Sequence, residues 1–222
     1  MKRKTLTNWL CLSGIISLIV YILHTVIGGM HYPGYDWKSQ AVSDLTATNA
    51  PSFLIANGLS SVHHLFAGLC VVMVCLVMQR KGNKMLRLGI YIFAVMIWVS
   101  AIGYTLFPLS DAGYAGTFQD IIHVYVVTIT VVLLSIVSIT LIILGGMKDQ
   151  RAYQSLSLWA GITLLFMVAG PIGMAFVPIE YFGVVERFSV YSVVVFTAIL
   201  GLYGFAFFDG MEENSQRSAE AL

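Results

Sequence analysis

The chain has five histidines, His24, His31, His63, His64 and His123, yet only 10% of its residues are Asp, Glu, Lys or Arg. Imidazoles with a carboxylate are a ligand set for zinc, and a zinc site with an open position turns bound water into a nucleophile near neutral pH. Arg187 offers a different chemistry, a planar fork suited to phosphate or carboxylate. The candidate ligand-binding residues are Ser43, Asp44, His64, Asp120, His123 and Arg187. Helical spacing puts Asp120 and His123 on one face, continued by Thr130. Ser13, Ser17, Tyr21, His24 and Gly28 recur at steps of four and three along one stripe, and Asn57, Ser61, His64 and Gly68 along a second, from which His63 points away. Arg187, Tyr191, Ala198 and Gly201 form a comparable row. Facing inward together, these stripes would enclose a polar pocket. The competing reading is packing: Ser, Thr and Gly also join helices with no ligand present, and an ion pair of Arg187 with Glu186 or Asp120 would be architectural.

What must position these residues is a membrane bundle. Six apolar stretches run roughly over 9–30, 53–79, 86–107, 118–146, 156–177 and 188–208, each near or above the ~20 residues that a helix needs to cross hydrocarbon. Composition agrees, with 58% hydrophobic residues and a mean hydropathy of +0.85. The fold class is all-α, a polytopic membrane protein built as one six-helix bundle over 1–222, with no length left for a separate soluble domain. A net charge of +1 points to no nucleic-acid partner. Membrane lipid is the expected partner, with a small polar ligand as a further one.

The distribution of charge sets an orientation. Lys2, Arg3, Lys4, Arg80, Lys81, Lys84, Arg87, Lys148, Arg151 and Arg217 fall on one side, and only Lys38 and Arg187 on the other. Positive residues favour the cytoplasmic side, so both termini are expected in the cytoplasm of a cytoplasmic (inner) membrane, with the connections after the first, third and fifth spans outside. The first span exceeds the ~7 to 15 apolar residues of a signal peptide and is read as retained. Cys11, Cys70 and Cys75 all lie within spans without a CxxC pair, and read as packing residues.

The inner connections are short and basic. The outer segment from His31 to Ser52 holds Tyr32, Tyr35 and Trp37 and is expected at the mouth of the bundle, with a short interfacial helix near 37–45. Each odd span ends outward in a Pro followed by an acid, as in Phe107-Pro108-Leu109-Ser110-Asp111. This pattern is open to two readings, repeated hairpins or independent helix stops. Gly170-Pro171-Ile172-Gly173 should kink the fifth span and free a carbonyl for a ligand or for packing.

Tyr32-Pro33-Gly34-Tyr35-Asp36 leading to Val42-Ser43-Asp44-Leu45, Asn57-Gly58, Phe107-Pro108, His123 and Gly183-x-x-Glu186-Arg187 together resemble the bacterial domain-of-unknown-function family 998 (DUF-998). The resemblance covers nearly the whole chain and implies a six-helix membrane protein and no reaction. It suggests Ser43, Asp44, His123 and Arg187 as the positions that define the type. The layout is also distantly similar to the ceramidase and adiponectin-receptor group of seven-helix membrane hydrolases, which implies zinc. That group carries His-x-x-x-His on a late helix, where this chain has no histidine. Three functions follow for comparison: binding of a lipid headgroup or small polar ligand in an outward pocket, zinc-dependent hydrolysis of a lipid or amide, and a structural or accessory subunit.

Overall fold

A computed structural model describes residues 4–148 and 151–206. Lys2, Arg3 and Arg217 of the charge bias, and the expected span end at 208, lie outside the described residues. Six helices there are long and apolar enough to cross a membrane: α1 (Leu6–Met30), α2 (Phe53–Val77), α3 (Lys84–Leu106), α4 (Phe118–Met147), α5 (Arg151–Phe176) and α6 (Phe182–Ala206). No strand occurs among the described residues. Between 28% and 44% of each span's most apolar window is buried, so most of the apolar surface faces outward, which suits hydrocarbon and not water.

Local chemistry sets the helix starts. Thr5 and Asn8 close a reciprocal capping box on α1, the Asn83 side chain accepts the Leu86 N–H at the start of α3, and Thr117 with Asp120 forms a second capping box on α4. α6 begins six residues before the expected 188. Glu186 and Arg187, which read as a charged boundary, fit inside the helix because their side chains turn into hydrogen bonds with the 37–42 segment.

Around the bundle each helix packs on its sequence neighbours, α6 closes back on α1, and α2 meets α6 across the middle. The main core lies toward the end carrying the 79–83 connection. There Phe93 and Phe196 meet edge to face at 5.3 Å among Val71, Val74, Leu86, Ile90, Ile142 and Leu200. Gly89 and Gly145 let α3 and α4 touch, since a Cβ at either would collide with the backbone of Ile142 or Leu86. At the opposite end the apolar clusters are smaller, Val42 with Tyr21 and Val194, and Ala47 and Ala50 with Leu109, because chain segments fill that end.

The 31–52 segment forms that filling, a cap folded over one end. It holds tight turns and a 3-10 turn at Ser43–Thr46 in place of the expected interfacial helix. Ala41, Val42, Asp44, Leu45, Ala47 and Ala50 are buried, while Trp37 stays 53% exposed. Thr48 and Asn49 N–H groups donate to the Leu109 and Ser110 carbonyls, which ties the cap to the α3–α4 connection.

Candidate functional site

Arg187 fastens the cap to α6. Its Nη1 donates to the carbonyls of Trp37 (2.8 Å), Gln40 (3.0 Å) and Gly183 (2.7 Å), and Nη2 donates to the Tyr35 hydroxyl (2.6 Å). These partners are three carbonyls and a phenol, with no carboxylate among them. Tyr35 in turn donates to the Ala41 carbonyl at 2.8 Å. Burial pushes the Tyr35 phenol up to about 12, although Arg187 pulls the other way, so it stays a neutral donor at any working pH.

Asp44 and Glu186 hold the next two amides of the cap. The Ala41 N–H donates to Asp44 Oδ2 (3.0 Å) and the Val42 N–H to Glu186 Oε2 (2.9 Å). Asp44 Oδ1 also accepts the Gly113 N–H at 3.0 Å, reaching the α3–α4 connection. Burial raises the Asp44 carboxyl above the ordinary range, against the lowering effect of those two amides and of the Arg187 and His123 charges. Asp44 therefore stands in electrostatic reach of both α6 and α4. Glu186 lies within the same reach of Tyr21, Tyr35 and Tyr104.

On α4, Asp120 Oδ1 accepts the Ser110 N–H at 2.7 Å, Oδ2 accepts the Thr117 N–H at 3.1 Å, and the Ser110 hydroxyl donates to the same carboxylate. Asp120 thus closes a helix start and makes no ion pair with Arg187. His123 Nδ1 donates to the Phe107 carbonyl at 2.7 Å, and its ring lies 4.8 Å from Tyr104. Ser43 is half-buried at the start of the 3-10 turn, its carbonyl accepting the Thr46 hydroxyl. Arg187 and Asp44 bond to neighbouring residues of the cap, Gln40 and Ala41, and Asp44, His123 and Asp120 all bond to the α3–α4 connection, at Gly113, Phe107 and Ser110.

His64 belongs to an adjoining group deeper in the bundle, and here the stripe on α2 is corrected by one position. His63 is the buried ring: its Nδ1–H donates to the Ser17 hydroxyl (2.8 Å), which donates to the His63 carbonyl (3.2 Å). Ser61 is exposed, and His64 is half-buried against His63 at 5.2 Å. The α1 stripe holds in full, since Ser13, Ser17, Tyr21, His24 and Gly28 are all buried. Tyr21 packs on His63 (4.8 Å), His24 (5.5 Å) and Tyr191 (5.3 Å). Sequence reasoning placed Tyr21 in the α1 stripe and Tyr35 and Glu186 in the motifs, without making them binding residues, and it missed Tyr104, which no spacing or charge marks out.

One more expectation is corrected, and one left open is resolved. Residues Ile122–Thr128 form a π-helical stretch, confirmed locally by the Thr128 hydroxyl donating to the His123 carbonyl five residues back. Each wide turn takes up more residues than an α turn, so Thr130 rotates off the His123 face and is exposed. At Pro171 the freed carbonyl is that of Met167, four residues earlier, and the Ser189 hydroxyl of α6 donates to it at 2.7 Å. That carbonyl serves packing.

Among the described residues, no group of three or more His, Cys, Asp or Glu is arranged to hold a metal ion. Beside the cap, an apolar groove of about 440 Å³ runs between α5 and α6, with Arg187 and Trp37 at its rim. A family model described as "Protein of unknown function (DUF998)" matches residues 15–203. Neither the curated proteins nor the solved structures give a match to this chain.

Proposed function

We propose, for a chain that belongs to the DUF998 family, that this multi-pass membrane protein binds a lipid headgroup or small polar ligand at the capped end, with Arg187 supplying the charge. The observation that carries the reading is that Arg187 and Asp44 hold adjacent residues of the cap, Gln40 and Ala41, while Asp44 and His123 both bond to the α3–α4 connection, at Gly113 and Phe107. Ionisable groups are costly at membrane depth, and gathering them at one end serves recognition as well as architecture. A guanidinium bonded to carbonyls and a phenol keeps its positive charge and favours an anionic group.

The capped end faces outward in this reading. Its support is the charge bias: Lys4, Arg80, Lys81, Lys84, Arg87 and Lys148 accompany the other end, whose chain segments meet where Lys4 Nζ donates to the Ala206 carbonyl. The chain then works as one bundle of the cytoplasmic membrane with both termini inside. The binding residues are Ser43, Asp44, His64, Asp120, His123 and Arg187. Asp44, Asp120 and His123 act by holding the cap and the α3–α4 connection around the ligand.

Mass spectrometry of molecules retained by detergent-purified protein tests this. The expected result is one anionic species at near-stoichiometric amount, reduced at least tenfold by Arg187→Gln and retained by Arg87→Gln at the other end. Equal retention by wild type and Arg187→Gln overturns the reading.

A further inference from the structure

The groove between α5 and α6 has a length, a wall chemistry and a charged rim that together specify an occupant. It extends from Val184 to Ile199 along α6, about 22 Å at helical rise. Half of a bilayer of about 40–45 Å with its headgroups is about 20–22 Å, so the groove spans one leaflet from headgroup to midplane. Its wall is apolar, formed by Trp159, Phe166, Phe188 and Val195 among others. The hydroxyls of its lining residues are already engaged, Thr163 donating to the Trp159 carbonyl, Ser192 to that of Ser189, and Tyr191 paired with the Thr25 hydroxyl of α1 at 2.6 Å. The wall therefore offers a ligand no polar partner, and a hydrocarbon chain fits it.

The rim differs. Lys38 and Arg187 are the two Lys or Arg residues that the charge pattern assigns to this end, and both stand at the groove's mouth. Arg187 and Trp37 line it, and the Val184 N–H of its wall donates to the Lys38 carbonyl at 3.1 Å. The Lys38 side chain is exposed there. The nearby Asp36 carboxylate is engaged by the Lys38 N–H (3.1 Å) and the Ser39 hydroxyl (2.9 Å), so it is folded onto its own turn. Trp37, half in and half out, is the amphipathic ring that favours headgroup depth.

We propose that this groove holds one acyl chain of an anionic glycerophospholipid of the outer leaflet, its phosphate lying against Arg187 and Lys38. The ligand enters sideways from the bilayer. The inference rests on the lipid-headgroup form of the function proposed above and names the ligand class and its path.

The test uses the full chain in phosphatidylcholine vesicles that contain a minor fraction of either phosphatidylglycerol or phosphatidylcholine brominated at mid-chain, with tryptophan fluorescence as the readout. Trp159 lies in the groove wall, where bromine on a bound chain quenches it. Brominated phosphatidylglycerol is expected to quench at least twice as strongly as brominated phosphatidylcholine at equal fraction. That excess should fall at least threefold in Val195→Phe, which fills the groove, and in Lys38→Gln, whose side chain takes no part in holding the cap. No excess in wild type overturns the proposal, and if an anionic species is still retained on purification, the broader binding reading survives it. Excess kept in Val195→Phe but lost in Lys38→Gln overturns the groove. Excess lost in Val195→Phe but kept in both Lys38→Gln and Arg187→Gln overturns the phosphate contact.

Discussion

Both ring nitrogens of His24 are buried without a hydrogen-bond partner, at 3% exposure. An unsatisfied buried polar group costs about 1–3 kcal/mol, and an apolar group of similar shape removes that cost. His24→Leu is therefore expected to raise the melting temperature in detergent; a lowered one would mean that the imidazole has a partner in the working protein. Asp44 gives a pH signature. Burial lifts its carboxyl above the ordinary 3.8, so the fold favours the protonated form. Its stabilising contribution is full below that ordinary value and is lost as pH rises through the raised one. Asp44→Asn should flatten the dependence of melting temperature on pH across that window, measured by thermal unfolding at fixed ionic strength. At this scale, sequence spacing puts His64 on the inward stripe where the structure buries His63. Adjacent positions on a helix differ by about 100°, and only the Ser17 hydroxyl on α1 settles which ring turns inward.

Helices were more legible than their faces. Six spans follow from apolar length, and the α1 stripe follows from strict steps of three and four, because both depend only on local spacing. The α4 face did not follow, since no residue type announces the π-helical stretch that turns Thr130 outward. Pro171 was legible as a break in the ladder, but its resolution by Ser189 needed a second helix in place. That pairing makes a prediction. Ser189→Ala should cost about 1 kcal/mol by leaving the Met167 carbonyl bare. In a Pro171→Ala background, where the 171 N–H can serve that carbonyl, the same change should cost less than half as much. A double-mutant cycle of unfolding free energies in detergent checks it; equal costs in both backgrounds would refute the shared carbonyl.

For the molecule as a whole, the orientation proposed from the charge bias has the cap outside. Cysteine introduced at Ser39 should react with a membrane-impermeant maleimide in intact cells, while cysteine at Lys84 should react only after permeabilisation. The native background is low, since Cys11 and Cys70 are buried and Cys75 is partly so. The reverse labelling pattern would invert the topology. The meeting of residues 35–44 with 183–187 was beyond sequence reading, because some 150 residues separate the partners and every bond from Arg187 Nη1 goes to a backbone carbonyl, which carries no signature of residue type.

The grip of Arg187 on the first outer segment also sets an order for biosynthesis. In the proposed orientation that segment is translated and exported early, yet the guanidinium that fixes it arrives with the last span, so the mouth stays unlatched until insertion is nearly finished. A nascent chain arrested after the fifth helix should leave residues 31–52 open to an external protease, and completing the sixth should protect them, timing closure to the end of synthesis.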